Sequence, residues 1–341
     1  MEQAAAVSAR APDIPANSRR ADGRWCCTGA VAAAMHQDEI PTSPALVQAL
    51  LADQFPAYAD LPVTPVPSAG TDNALFRIGD ELSARLPRIG WAVSGVEKEY
   101  RWLPTLAERL PLPVPQPIAI GGPGCGYPCA WTICRWLPGE NPPVGETPNP
   151  AELAVDLARF LRALQAIDVT DGPPCRRGVP VSTRDGDFRR AVAELLEIQA
   201  AGSPDDPAVA PILNLDLGRA LAIWGRDITA EDWDRPPMWT HADLSPLNVL
   251  CDANGRLSAV IDFGTVGVGD PAVDAYGAWN LLDEPSRELF RDEIGFDDAT
   301  WARGRAWALS IAMIQLPYYH RTNPGLTAVS HQVLRQILGP T

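Results

Sequence analysis

Lysine is all but missing from this 341-residue chain: Lys98 is the only one, and arginine supplies the rest of its twenty-eight basic side chains. Even so, forty-two acidic residues outnumber the basic ones and leave a formal charge of −14. That balance argues against nucleic acid or an anionic membrane surface as partner, since both reward clustered cations. Histidine is scarce at four, and neither these nor the seven cysteines fall at metal-ligand spacing. An odd cysteine count without such spacing fits a reducing, cytoplasmic setting better than a disulfide framework. No apolar run approaches the roughly 20 residues that a membrane-spanning helix needs. What remains is an ordinary globular balance, 46% hydrophobic and 21% charged, in a chain long enough for two lobes.

Residues 1–40 are Ala-rich, dotted with Ser and Pro and without sustained periodicity, which predicts a disordered tail. Ser43 and Pro44 then open a helix with Leu46, Val47, Leu50 and Leu51 on one face. ALFRIG and ELSARL, joined at Gly79-Asp80, predict a hairpin. A helix follows over about 93–110, then strands at 117–121 and 130–136. Past a connector rich in Pro and Gly, Asn149 caps and Pro150 opens a helix striped with Leu153, Leu157, Phe160, Leu161 and Leu164. Further helical patterns cover about 186–200, 207–226, 272–282, 299–316 and 326–338, interrupted by short strand-like runs at 248–251 and 257–261. The class is α+β: antiparallel strands with one main helix, then a mainly helical part.

Two motifs carry chemistry. His241-Ala242-Asp243 is followed by Asn248, and Ile261-Asp262-Phe263-Gly264 comes a hairpin later. Phosphoryl transfer needs one carboxylate to take the proton of an attacking hydroxyl, and an amide and a second carboxylate to hold Mg²⁺ against nucleotide phosphates. Asp243 suits the first role, Asn248 and Asp262 the second, and His241 is expected to brace the loop.

HADLSPLNVL and VIDFGTVGVGDPAVD, with SAGTDNALFRIGDELSARLPR and VEKEYRWLP upstream, resemble the aminoglycoside phosphotransferase family of protein-kinase-like small-molecule phosphotransferases. The resemblance implies a two-lobed kinase-like fold: an N-lobe over 41–137 with a five-stranded antiparallel sheet and one main helix, and a larger helical C-lobe over 138–341 holding the catalytic loop and acceptor site. ATP is then expected between the lobes, with Asp243 catalytic, Asn248 and Asp262 on Mg²⁺, and Asp274 supporting the catalytic loop. Ser68, Gly70, Thr71 and Asn73 fall where relatives cover the phosphates, and backbone near Trp136 is expected to read the adenine edge. One position departs from the pattern. Kinase-like enzymes place a lysine on the third strand, but Lys98 lies within the helix, so Arg85 is expected to grip phosphate, paired with Glu99 or, second, Glu97.

The implied reaction is ATP-dependent phosphorylation of a small-molecule hydroxyl, an aminoglycoside-like antibiotic first. A macrolide or another hydroxylated metabolite comes next, and a nucleotide-binding module with little transfer activity is the alternative from outside the enzyme class. Twelve acidic residues against three arginines between His241 and Thr300 suit a cationic acceptor. Asp283, Glu284, Asp297 and Asp298 fit a solvated face equally well, and Trp279, Trp307, Tyr318 and Tyr319 fit either helix packing or stacking on the acceptor.

Overall fold

A computed structural model describes residues 38–67 and 70–339. The helix expected from Ser43 is α1 (Pro44–Gln54), and the Ser43 hydroxyl accepts from the Leu46 N–H at 3.1 Å. Five antiparallel strands follow: β1 (Val63–Pro65), β2 (Asn73–Ile78), β3 (Leu82–Pro87), β4 (Pro117–Gly121) and β5 (Trp131–Arg135), ordered β1-β2-β3-β5-β4. The proline-rich stretch ahead of the hairpin conceals β1. Proline cannot donate to a ladder, so it is confined to sheet edges, and both edge strands carry one, Pro65 and Pro117. Gly79, with φ +56, supplies the left-handed residue that the β2–β3 turn requires.

Strand alternation on β3 decides what the sheet does. Leu82, Ala84 and Leu86 enter an apolar core shared with Phe76, Ile78, Trp131 and α1. Ser83 and Arg85 therefore face the other way, where α2 (Val93–Ala107) packs on the sheet. Residues 38–40, expected in the tail, are docked: Ile40 donates to the Arg88 carbonyl at 2.7 Å and Glu39 pairs with Arg88 at 2.8 Å. The rest of the expected tail, like Ser68, lies outside the described residues.

A second, larger core belongs to the helices. These are α3 (Pro150–Gln165), α4 (Asp185–Ala201), α5 (Ala210–Leu213), α6 (Leu217–Asp227), α7 (Tyr276–Leu281), α8 (Glu284–Ile294), α9 (Asp298–Tyr319) and α10 (Pro324–Leu338). Asn149 does not cap α3 with its side chain; its amide donates to the Asn254 carbonyl instead. The single helix expected over 207–226 is two, because Asp216 caps a fresh start by accepting from Arg219 N–H at 2.8 Å. Within the described residues, no helix is long and apolar enough to cross a membrane.

Four short strands set the site. β6 (Met238–Thr240) pairs with β9 (Gly267–Gly269), and β7 (Val249–Cys251) pairs with β8 (Leu257–Val260). β6 leads into His241 and β9 leaves the Asp262 segment, so one ladder clamps both motif ends. The β7–β8 hairpin brings the motifs together between them, with Ile261 N–H donating to the Asn248 carbonyl at 2.9 Å.

Candidate active site

The segment after β6 is held from below. Asp274, fully buried, accepts the backbone N–H of Ala242 at 2.7 Å and of His241 at 3.2 Å. Burial pushes its carboxyl up to about 7 against those two donors. Ala242 takes a left-handed φ of +65, as does Asp262 at +62; strain of this kind persists only where the surroundings over-determine it. His241 is buried and bridges the motifs: Nδ1 accepts from Asp243 N–H at 3.2 Å, and Nε2 lies 3.0 Å from the Ile261 carbonyl. Since a carbonyl only accepts, these bonds assign the neutral Nε2–H tautomer. Burial lowers the imidazole's pKa, in keeping with that form. Its ring stands edge-on to Phe263 at 4.7 Å.

Asp243 has a donor at each carboxylate oxygen. The Asn248 amide donates to Oδ2 at 3.2 Å and to the Asp243 carbonyl at 2.8 Å. Oδ1 accepts from Arg177 Nη1, which also reaches the Ala242 carbonyl at 3.0 Å. Arg177 did not emerge from the sequence: it lies 66 positions from its partner, in a stretch without periodicity or motif.

Beside this loop is a cavity of about 390 Å³, walled by Gly70, Asn73, Arg85, Trp136, Asn248 and Asp262 among others. Six expected residues thus meet in one space. Glu99 lies behind the wall, where both its oxygens accept from Arg85 Nη1 at 2.6 and 2.5 Å, while Arg85 Nη2 donates to Asp262 Oδ1 at 2.5 Å. Burial alone would lower the Arg85 pKa, but Glu99 and Asp262 outweigh it and keep the guanidinium charged. Burial likewise opposes the Asp262 charge, yet Arg85, by its charge and hydrogen bond, and the Gly264 N–H hold its carboxyl below the ordinary value. Thr71 does not line the cavity; its hydroxyl donates to Asp72 at 3.0 Å. Trp136 does, but its own N–H is spent on the Glu81 carbonyl at 2.7 Å, and Arg77 stacks over its ring at 4.7 Å. The lone lysine has a structural post: Lys98 donates from α2 to the carbonyls of Gly264 at 2.8 Å and Val266 at 3.1 Å.

The acidic run from His241 onward is largely consumed by the fold. Asp283 and Asp297 cap α8 and α9, accepting from Ser286 at 3.0 Å and Thr300 at 2.8 Å. Asp298 pairs with Arg291, and buried Asp270 pairs with Arg303 at 2.7 Å. Trp279 and Trp307 are buried among helices, whereas Tyr318 is exposed.

Solved structures with the same fold include a variant of aminoglycoside 2'-phosphotransferase-IIIa in its GDP complex (TM-score 0.62, 20% identity, covering 87% of this chain and 95% of that one). A macrolide 2'-phosphotransferase type I matches at TM-score 0.55 and 19% identity over 81% of this chain and 91% of that one. A macrolide 2'-phosphotransferase from Brachybacterium faecium matches at 0.53 and 19%, over 88% and 99%. These likenesses establish a kinase-like phosphotransferase fold. No curated protein matches the chain. The model of the phosphotransferase enzyme family matches residues 63–307, more than two thirds of the sequence, and the protein belongs to that family.

Proposed function

We propose that the protein transfers the γ-phosphoryl group of ATP, with Mg²⁺, to a hydroxyl of a small molecule, an aminoglycoside-like antibiotic first. The observation that carries this reading is the pinned Asp243 carboxylate beside a cavity walled by Arg85, Asn248 and Asp262. Related solved structures are described as complexes with GDP, ADP and ATP, so a purine nucleotide suits the cavity.

Fit to Mg²⁺ follows from the donors. The Asn248 amide nitrogen is spent on Asp243, which leaves Oδ1 as a ligand, and Asp262 shares the same cavity wall. Among the described residues no cluster of three or more His, Cys, Asp or Glu builds a metal cage. Two protein oxygens completed by phosphate oxygens and water are what a small hard cation accepts. Bound there, Mg²⁺ supplies neutralisation of phosphate charge.

Asp243 takes the proton of the acceptor hydroxyl as its oxygen bonds to the γ-phosphorus and the bond to the β–γ bridging oxygen breaks, releasing ADP. Arg85, held by Glu99, binds phosphate oxygens. Asp274 and His241 hold the loop that presents Asp243.

A macrolide is the second reading, favoured by the likeness to macrolide 2'-phosphotransferase structures. The test is binding of ATP and GTP with Mg²⁺, then turnover with kanamycin, gentamicin, streptomycin, erythromycin and water. Asp243→Ala is expected to lower turnover about 10²–10⁴-fold with nucleotide affinity unchanged. Parent-like turnover in that variant removes Asp243 from its role; nucleotide binding without turnover in the parent points to a binding module.

A further inference from the structure

We propose that Arg177 is a positioning residue for phosphoryl transfer: it fixes the Asp243 carboxylate in its reactive orientation and screens that carboxylate from the incoming phosphoryl charge. This rests on the reading of Asp243 as the group that takes the hydroxyl proton.

The geometry begins with the backbone. Residues 173–178 run beside β9, joined to it by a single parallel bridge between Pro174 and Val268 and by backbone bonds: Val268 N–H donates to the Pro173 carbonyl at 2.7 Å, Cys175 N–H to Val268 at 3.0 Å, and Asp270 N–H to Gly178 at 3.0 Å. Such a close approach is possible because β9 is Gly-Val-Gly. A Cβ on Gly267 would lie 2.7 Å from the Cys175 Cα, and one on Gly269 would lie 2.4 Å from the Gly178 carbonyl oxygen. The backbone on either side of Arg177, at Cys175 and Gly178, is therefore tied to the strand that leaves the Asp262 segment.

From that bend Arg177 joins the Ala242 carbonyl and Asp243 Oδ1 through one nitrogen, while Asn248 holds Oδ2. Donors from two separate segments, one on each oxygen, fix the carboxylate plane. Each oxygen keeps a lone pair for the hydroxyl proton. The left-handed Ala242 is tied by the same guanidinium, so the strained turn and the carboxylate it presents are held by one group. Asp243 outweighs the effect of burial and keeps Arg177 charged. A carboxylate that must approach a polyanionic phosphoryl group meets like-charge repulsion, and a permanent cation bonded to it offsets that repulsion. Arg177, like Asp243, does not line the cavity that holds Arg85 and Asp262, so its loss is expected to fall on the transfer step rather than on nucleotide binding.

The experiment compares parent, Arg177→Gln, Arg177→Lys and Asp243→Asn in the full chain, using ATP, Mg²⁺ and whichever of kanamycin, gentamicin, streptomycin, erythromycin or water the parent phosphorylates fastest. Arg177→Gln is expected to lower kcat about 10²-fold, the scale of a misplaced catalytic group, with the KM for ATP within about twofold of the parent. Arg177→Lys, which restores the charge without the fork, is expected to recover about tenfold of that loss. Parental kcat in Arg177→Gln overturns the proposal, and so does a joint change in kcat, ATP KM and melting temperature that Arg177→Lys does not relieve. If Arg177→Gln fails to fold, Arg177→Lys decides: kcat below the parent at an unchanged ATP KM supports the role, and parental kcat overturns it. Failure of the underlying reading looks different, as parental turnover in Asp243→Asn or no turnover in the parent.

Discussion

Arg85 Nη2 lies 2.5 Å from Asp262 Oδ1, although 177 positions separate the two residues in sequence. The guanidinium that carries this bond is already pinned to Glu99, so sheet, helix α2 and the Ile-Asp-Phe-Gly segment meet at one cation. Removing it strands a buried carboxylate, which costs about 3–5 kcal/mol. Arg85→Ala is therefore expected to lower both stability and ATP affinity. Adding Glu99→Gln should recover most of the stability and none of the affinity, as read by urea unfolding and calorimetric titration. Recovery of both would place the phosphate cation elsewhere.

Asn248 and Asp262 predict a metal-dependent phenotype. Asn248→Ala and Asp262→Asn should each raise the Mg²⁺ concentration for half-maximal turnover, by about tenfold or more, while lowering the rate. Mg²⁺ titrations that overlay the parent's in both variants would remove the pair from that role.

Asp274 predicts a pH dependence of stability. Its folded carboxyl titrates near 7, whereas an unfolded aspartate titrates at about 4. Between those values the folded state binds the extra proton, so stability falls as pH rises from about 4 to about 7 and is level above that. Asp274→Asn lacks the titration. Its urea midpoint should therefore lie further below the parent's at pH 5 than at pH 8; an equal gap at both pH values contradicts the linkage.

Arg303 and Asp270 form an ion pair with both side chains almost fully buried. Arg303→Ala leaves Asp270 uncompensated and is expected to cost about 3–5 kcal/mol, measured by urea unfolding. A loss under about 1 kcal/mol would show that water reaches the site.

The parts of the site that sequence reveals are those written contiguously. His241 to Asn248 and Ile261 to Gly264 each span a few residues, and the turn between them makes their meeting in space a short inference. Arg85 was legible only through the family resemblance: it stands at the third-strand position where kinase-like enzymes place a lysine, and the one lysine of the chain lies on α2 instead. Arg177 and the docking of residues 173–178 on β9 were not, because their meaning resides in the glycines of β9, whose missing side chains leave no pattern. β1 hid behind prolines that an edge strand tolerates. α8 hid because its acidic surface overshadows a narrow apolar face, chiefly Phe290 and Ile294.

The tie from Lys98 to the carbonyls of Gly264 and Val266 makes the protein its own reporter. With a single lysine, amine-directed acylation has one side chain to modify, and that side chain is occupied only while α2 sits against the segment bearing Asp262. Mass increase at Lys98 therefore counts the molecules in which this contact is open. One chemical footprint, followed with and without nucleotide, reads the assembly of the site without an acceptor.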